Sequence, residues 1–147
     1  MYLRFPDFLN PNALSFRIFD INLSLTWYSL SYIFGIICAW YLIYSLTKKQ
    51  SLWREKSPLN TKDVEDLMTY LILGIILGGR MGYVLFYNPS FYISSPISIF
   101  YLWEGGMSFH GGFIGVVLGA MYYCIRNKIS ILPMGDIIAV STPPGLF

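Results

Sequence analysis

Three stretches of this chain, 23–46, 64–87 and 107–125, are long and apolar, and a fourth opens near Ile131, broken by Pro143 and Pro144. Together they carry too much apolar surface to fold into one small water-soluble core. About 20 apolar residues in a helix span the hydrocarbon layer of a bilayer. The charged residues are only 12% of the chain, against about 25% in ordinary soluble domains, and they fall mainly between the runs. The expected fold is therefore all-α: a polytopic helical membrane protein with three complete transmembrane helices plus the start of a fourth. Residues 1–147 read as a single membrane domain. Residues 1–20 lack a basic start followed by an apolar run, so the first span is expected to direct insertion itself.

Aromatic and basic residues orient these spans. Trp27, Tyr28 and Tyr32 mark one end of the first span, and Trp40, Tyr41 and Tyr44 the other. Trp27 and Tyr44 lie roughly 25 Å apart along a helix, which suits rings at both membrane interfaces. Five basic residues (Lys48, Lys49, Arg54, Lys56, Lys62) occupy 47–63, Arg126 and Lys128 follow the third span, and no Lys or Arg lies in 88–106. The positive-inside rule places 47–63 and 126–130 in the cytoplasm, and the N-terminus and 88–106 outside. Thr61 is expected to cap the second span, with Asp63, Glu65 and Asp66 at its positive end. The segment 88–106, with Pro89 and Pro96, reads as a loop or re-entrant stretch in the interface.

Several chemistries can be set aside. A net charge of +2 is too small to suggest nucleic acid. One histidine and two cysteines without a CxxC give a metal little to bind, and no metal is expected. Cys38 and Cys124 lie inside apolar runs and read as membrane-buried thiols.

Two glycine ladders stand out: Gly74, Gly78 and Gly82 in the second span, and Gly111, Gly115 and Gly119 in the third. Each lays a small-residue stripe on one helix face, where another backbone can come close. The two could pair antiparallel, or form a groove for a lipid chain. Arg80 lies roughly 24 Å along the second span from Val64. A charge at that depth needs a partner. It either snorkels, forms a structural ion pair, with Glu104 as a candidate, or grips a phosphate with two parallel bonds. On a helical wheel it lies about 160° from the Gly78/Gly82 stripe. If that stripe faces the third span, Arg80 faces something else.

His110 sits within about one turn of the outer end of the third span. It is the side chain whose ordinary proton affinity suits general-base work near neutral pH. Gly105, Gly106, Gly111 and Gly112 around it leave room for the ring and expose backbone to a ligand. Tyr28 is either an interfacial belt residue or a substrate contact. Asp136, at the start of the fourth stretch, is expected as a helix N-cap. Tyr28, Arg80 and His110 come from three spans and reach a similar depth near the outer leaflet.

The block Gly105-Gly106-Met107-Ser108-Phe109-His110-Gly111-Gly112 resembles the histidine-glycine signature of bacterial prolipoprotein diacylglyceryl transferases. Leu3-Arg4-Phe5-Pro6, Trp27-Tyr28-Ser29-Leu30, the run from Leu77 to Asn88, Asp136-Ile137-Ile138-Ala139 and Pro144-Gly145-Leu146 are similar to further blocks of that family, in the same order. The resemblance implies transfer of the diacylglyceryl group from phosphatidylglycerol to the lipobox cysteine of a prolipoprotein signal peptide, with glycerol 1-phosphate leaving. It implies a seven-helix protein of the bacterial inner membrane, multi-pass with the N-terminus outside, and no metal or organic cofactor. By matched motif, His110 and Tyr28 would be catalytic, Arg80, Gly111 and Gly112 would bind substrate, and Asp136 and Glu104 would be supporting.

The family's main signature, with a further arginine and an asparagine, should begin just after Phe147. The chain is therefore expected to be the N-terminal part of the enzyme and inactive alone. Two other readings remain open from the residues: a non-catalytic lipid-binding membrane protein, and a transporter of a phosphate-bearing substrate. The apolar inner halves of the spans count against the transporter.

Overall fold

A computed structural model describes residues 12–18, 21–53, 57–102 and 105–143. Glu104, the start of the chain and the Pro144-Gly145-Leu146 block lie outside the described residues.

The described chain opens with an antiparallel hairpin, β1 (Asn12–Ile18) and β2 (Ile21–Thr26). This hairpin stands ahead of an otherwise helical chain, an element the all-α expectation did not include, and it shortens the first span, which had been placed from residue 23. The reason is a change of period. Ile21-Asn22-Leu23-Ser24-Leu25-Thr26 alternates apolar and polar residues, the pattern of a strand. The register sets Leu14, Phe16 and Ile18 opposite Leu25, Leu23 and Ile21, with a shift between Asn12 and Leu14.

Helices follow: α1 (Trp27–Lys48), α2 (Val64–Phe86), α3 (Pro89–Ser94), α4 (Phe109–Asn127) and α5 (Ile131–Ser141). Short 3₁₀ turns lie at Gln50–Leu52, Thr61–Asp63 and Pro96–Phe100. Thr61 does not cap α2, as had been expected. It opens the 3₁₀ turn, and Asp63 takes the N-cap position, its carboxylate accepting from Asn60 Nδ2 at 2.9 Å. Glu65 and Asp66 do fall in the first turn of α2, where the helix dipole favours them. The segment after α2 is more ordered than a plain loop. Pro89 and Pro96 each start a short helix, where a missing N–H costs nothing. Ser108 caps α4 by accepting from the Gly111 amide at 3.2 Å, and Lys128 closes it in the left-handed conformation, φ 56°.

The glycine ladders do pair. A side chain at Gly74 would strike the Gly115 carbonyl, one at Gly78 the Gly111 carbonyl, and one at Gly119 the Tyr70 carbonyl 2.6 Å away. Rising numbers on α2 meet falling numbers on α4, so the helices run antiparallel with backbones in contact. The main core lies at one end, where Ile43 of α1, Val64 and Leu67 of α2, Tyr123 and Cys124 of α4, and Met134 and Ile137 of α5 pack together. This is the end of the basic loop.

Two helical stretches, Ser29–Lys48 and Thr61–Phe86, are long and apolar enough to cross a membrane. Only 17% and 28% of their apolar windows are buried within the fold. The core helix of a soluble protein would bury most of such a window. Here Phe34, Leu77, Leu85, Phe113 and Leu118 face outward, as they do where lipid is the solvent.

Candidate functional site

Tyr28, Arg80 and His110 lie on the stretches of α1, α2 and α4 that run away from the shared core, whereas Asp136 lies on α5 between the core residues Met134 and Ile137. From Ile43 to Tyr28, from Leu67 to Arg80, and from Tyr123 to His110, each helix extends roughly 20 Å beyond the cluster. Tyr28 lies in the first turn of α1, and its side chain is outside the described residues. The Ser108 amide donates to the Gly79 carbonyl at 2.8 Å, which locks the top of α4 level with Arg80.

Arg80 is 4% exposed, and all five N–H groups of its guanidinium meet backbone carbonyls. Nε donates to Ile99 at 2.9 Å. One terminal nitrogen donates to Gly105 and, at 3.1 Å, to Gly106. The other donates to Ser98 at 2.6 Å and Tyr101 at 3.1 Å. The Tyr92 ring lies 5.3 Å from the guanidinium carbon. Taking this ion out of water costs several kcal/mol or more. A hydrogen bond to a charged group returns roughly 1.5–3 kcal/mol, so five bonds offset that penalty without a carboxylate. In this arrangement Arg80 offers no N–H to a phosphate. As the helical wheel requires, it faces away from the glycine contact, onto the loop before α4.

Two glycines make that loop possible. Gly105 and Gly106 have φ of 81° and 82°, a conformation that side chains disfavour. Gly106 also lies against the Tyr83 ring, leaving no room for a Cβ. The carbonyls of Ser98, Ile99 and Tyr101 were not identified from sequence, because backbone acceptors leave no residue signature. The paired glycines were the available signal.

His110 is exposed in the first turn of α4, its ring edge-on to Phe109 at 5.8 Å between centroids. Gly111 and Gly112 do not present free amides: Gly111 N donates to Ser108 Oγ, and Gly112 N to the Ser108 carbonyl at 2.9 Å. They also differ from each other. A Cβ on Gly111 would collide with Gly78, whereas one on Gly112 would meet the Ile75 carbonyl at an ordinary 3.7 Å. Gly111→Ala is expected to destabilise the protein by about 1–3 kcal/mol. Gly112→Ala should be neutral or stabilise it by up to about 1 kcal/mol through helix propensity. Thermal unfolding of the complete protein in detergent checks both signs.

Asp136 is exposed and lies in the interior of α5, whose N-cap position belongs to Ser130. The N-cap expectation for Asp136 is thereby corrected. A cleft lined by Asp66, Thr69, Tyr70 and Arg126 lies at the opposite end of the α2–α4 pair, where Arg126 donates to the Tyr70 hydroxyl at 2.6 Å. It is remote from His110.

Residues 16–147 match the sequence profile of the family described as Prolipoprotein diacylglyceryl transferase. The chain is 45% identical over 146 residues to a phosphatidylglycerol–prolipoprotein diacylglyceryl transferase of Cereibacter sphaeroides, covering 99% of this chain and 72% of that one. It is 47% identical over 146 residues to one of Bradyrhizobium diazoefficiens, covering 99% and 50%. To one of Rickettsia felis it is 47% identical over 131 residues, covering 88% and 49%. The chain thus spans about half the length of most of these relatives.

Proposed function

Because the chain belongs to the prolipoprotein diacylglyceryl transferase family, we propose that the complete protein moves the diacylglyceryl group of phosphatidylglycerol onto a lipobox cysteine thiol. The setting is the bacterial inner membrane, with α1, α2 and α4 as complete crossings, α5 as the start of a fourth, and the N-terminus outside. What supports a third crossing is that α4 runs beside α2 along the whole glycine contact.

The chemistry begins with a thiol. Its ordinary pKa, about 8.5, leaves it mostly protonated at neutral pH. His110 takes the proton, directly or through a water. Sulfur then bonds to the glyceryl carbon that carried the phosphate ester, that C–O bond breaks, and glycerol 1-phosphate leaves with the electron pair. Tyr28 holds substrate by its hydroxyl from the first turn of α1. With the Arg80 donors engaged, the cation facing the leaving phosphate comes from the signature that the resemblance places after position 147.

The observation that most favours this reading is His110 itself. It is an exposed imidazole on the first turn of α4, roughly 20 Å from the basic-loop core. The test supplies the complete protein with phosphatidylglycerol and a lipobox peptide, and follows thioether formation by mass. A peptide heavier by one diacylglyceryl group is expected. Lipid binding without any adduct would instead favour a non-catalytic lipid-binding protein.

A further inference from the structure

We propose that Arg80 is a positioning residue for His110, acting through the loop it holds and not through the substrate phosphate. This rests on the transferase reading for its kinetic consequence, though not for its structural one. One planar guanidinium collects the carbonyls of Ser98, Ile99, Tyr101, Gly105 and Gly106. These come from the 3₁₀ turn, from Tyr101 at its C-cap and from the two positive-φ glycines. The same loop delivers Ser108, whose amide donates to the carbonyl of Gly79, the residue just before Arg80 on α2, and whose hydroxyl caps α4. His110 is two residues further on. The path from Arg80 to the imidazole is therefore short: guanidinium, glycine carbonyls, Ser108 cap, first turn of α4. Tyr83 and Tyr92 brace it from the side, with Gly106 against the first ring and the guanidinium near the second.

The arrangement separates arginine from lysine. An arginine that binds phosphate can be replaced in part by a lysine, which still binds phosphate as a point charge although it loses the two-bond grip. Five converging carbonyls need five N–H groups in a plane, and an ammonium has three. Arg80→Lys should then behave like Arg80→Ala. A misplacement of about 1 Å at a reacting group costs on the order of 100-fold in rate. Both variants should therefore lose about 100-fold in kcat, with KM for phosphatidylglycerol within about threefold of the parent.

The experiment uses the complete protein in lipid nanodiscs and adds two readings independent of turnover. Hydrogen exchange at the amides of Tyr101 and of residues 105–108 should speed up in both variants, while amides in the core of α2 keep their protection. In the unsubstituted protein, the Arg80 side-chain N–H signals should exchange slowly and stay in place as phosphatidylglycerol is titrated in. That measurement remains informative even if the variants fold poorly. A lysine variant that retains activity and raises KM, unchanged loop exchange, or guanidinium signals that move with lipid would each overturn the proposal. If the unsubstituted protein shows no transfer, the transferase reading fails, and the exchange data still decide whether Arg80 holds the loop.

Discussion

Replacing His110 with alanine in the complete protein lowers the transfer rate by about 10²- to 10⁴-fold, the usual contribution of a positioned general base. On the proposed mechanism the loss falls on kcat, because there His110 acts on a proton and not on lipid affinity. It also depends on pH in a defined direction. Without the base, only peptide thiol already ionised can react. Below a thiol pKa of about 8.5, that fraction rises about tenfold per pH unit. The deficit of His110→Ala should therefore shrink steadily from pH 7 towards pH 9. Rates of peptide modification at saturating phosphatidylglycerol check this. A deficit independent of pH would remove His110 from the proton transfer and leave it a structural or binding role.

The second large effect concerns the contact that holds the site's scaffold together. Gly115→Leu places a side chain where the Gly74 carbonyl and the Gly78 backbone already stand. Leucine is about 0.8–1 kcal/mol better than glycine in a helix. Overpacking costs about 1–3 kcal/mol and sometimes more. Here the obstacle is backbone, which cannot turn aside as a side chain would, so the upper end of that range applies. The expected result is a net loss of about 2 kcal/mol or more, read as a lowered unfolding midpoint in detergent. Activity should fall too, because α2 and α4 carry Arg80 and His110 at the same end. An unchanged midpoint would mean that the two helices do not cross at their glycines.

How much of this could be read from the sequence differs by residue. The α2–α4 contact was legible because glycines at every fourth position draw a stripe that helical geometry converts directly into a face. The direction of Arg80 followed from the same geometry, since a residue two beyond Gly78 cannot share the stripe. What Arg80 meets there was not legible. Its partners are carbonyls, which every residue carries, and they converge through a backbone conformation to which only Gly105 and Gly106 pointed. The hairpin was missed for another reason. Leu23 and Leu25 are apolar enough to extend the first span, and the two-residue alternation in 21–26 was outweighed by mean hydropathy. Asp136 was misplaced because α5 begins at Ile131, six residues earlier than an N-cap at Asp136 allows.

The central claim is that the His110 end of the fold faces outward at the headgroup layer while the shared core sits on the cytoplasmic side. A single cysteine at Phe109, an exposed neighbour of His110, and another at Ser51 in the basic loop test it most directly. Cys38 and Cys124 would first be replaced in the complete protein. In intact spheroplasts, a membrane-impermeant maleimide is predicted to label position 109 at once and position 51 only after permeabilisation. Labelling in the opposite order, or no labelling of position 109 from either side, would contradict the account.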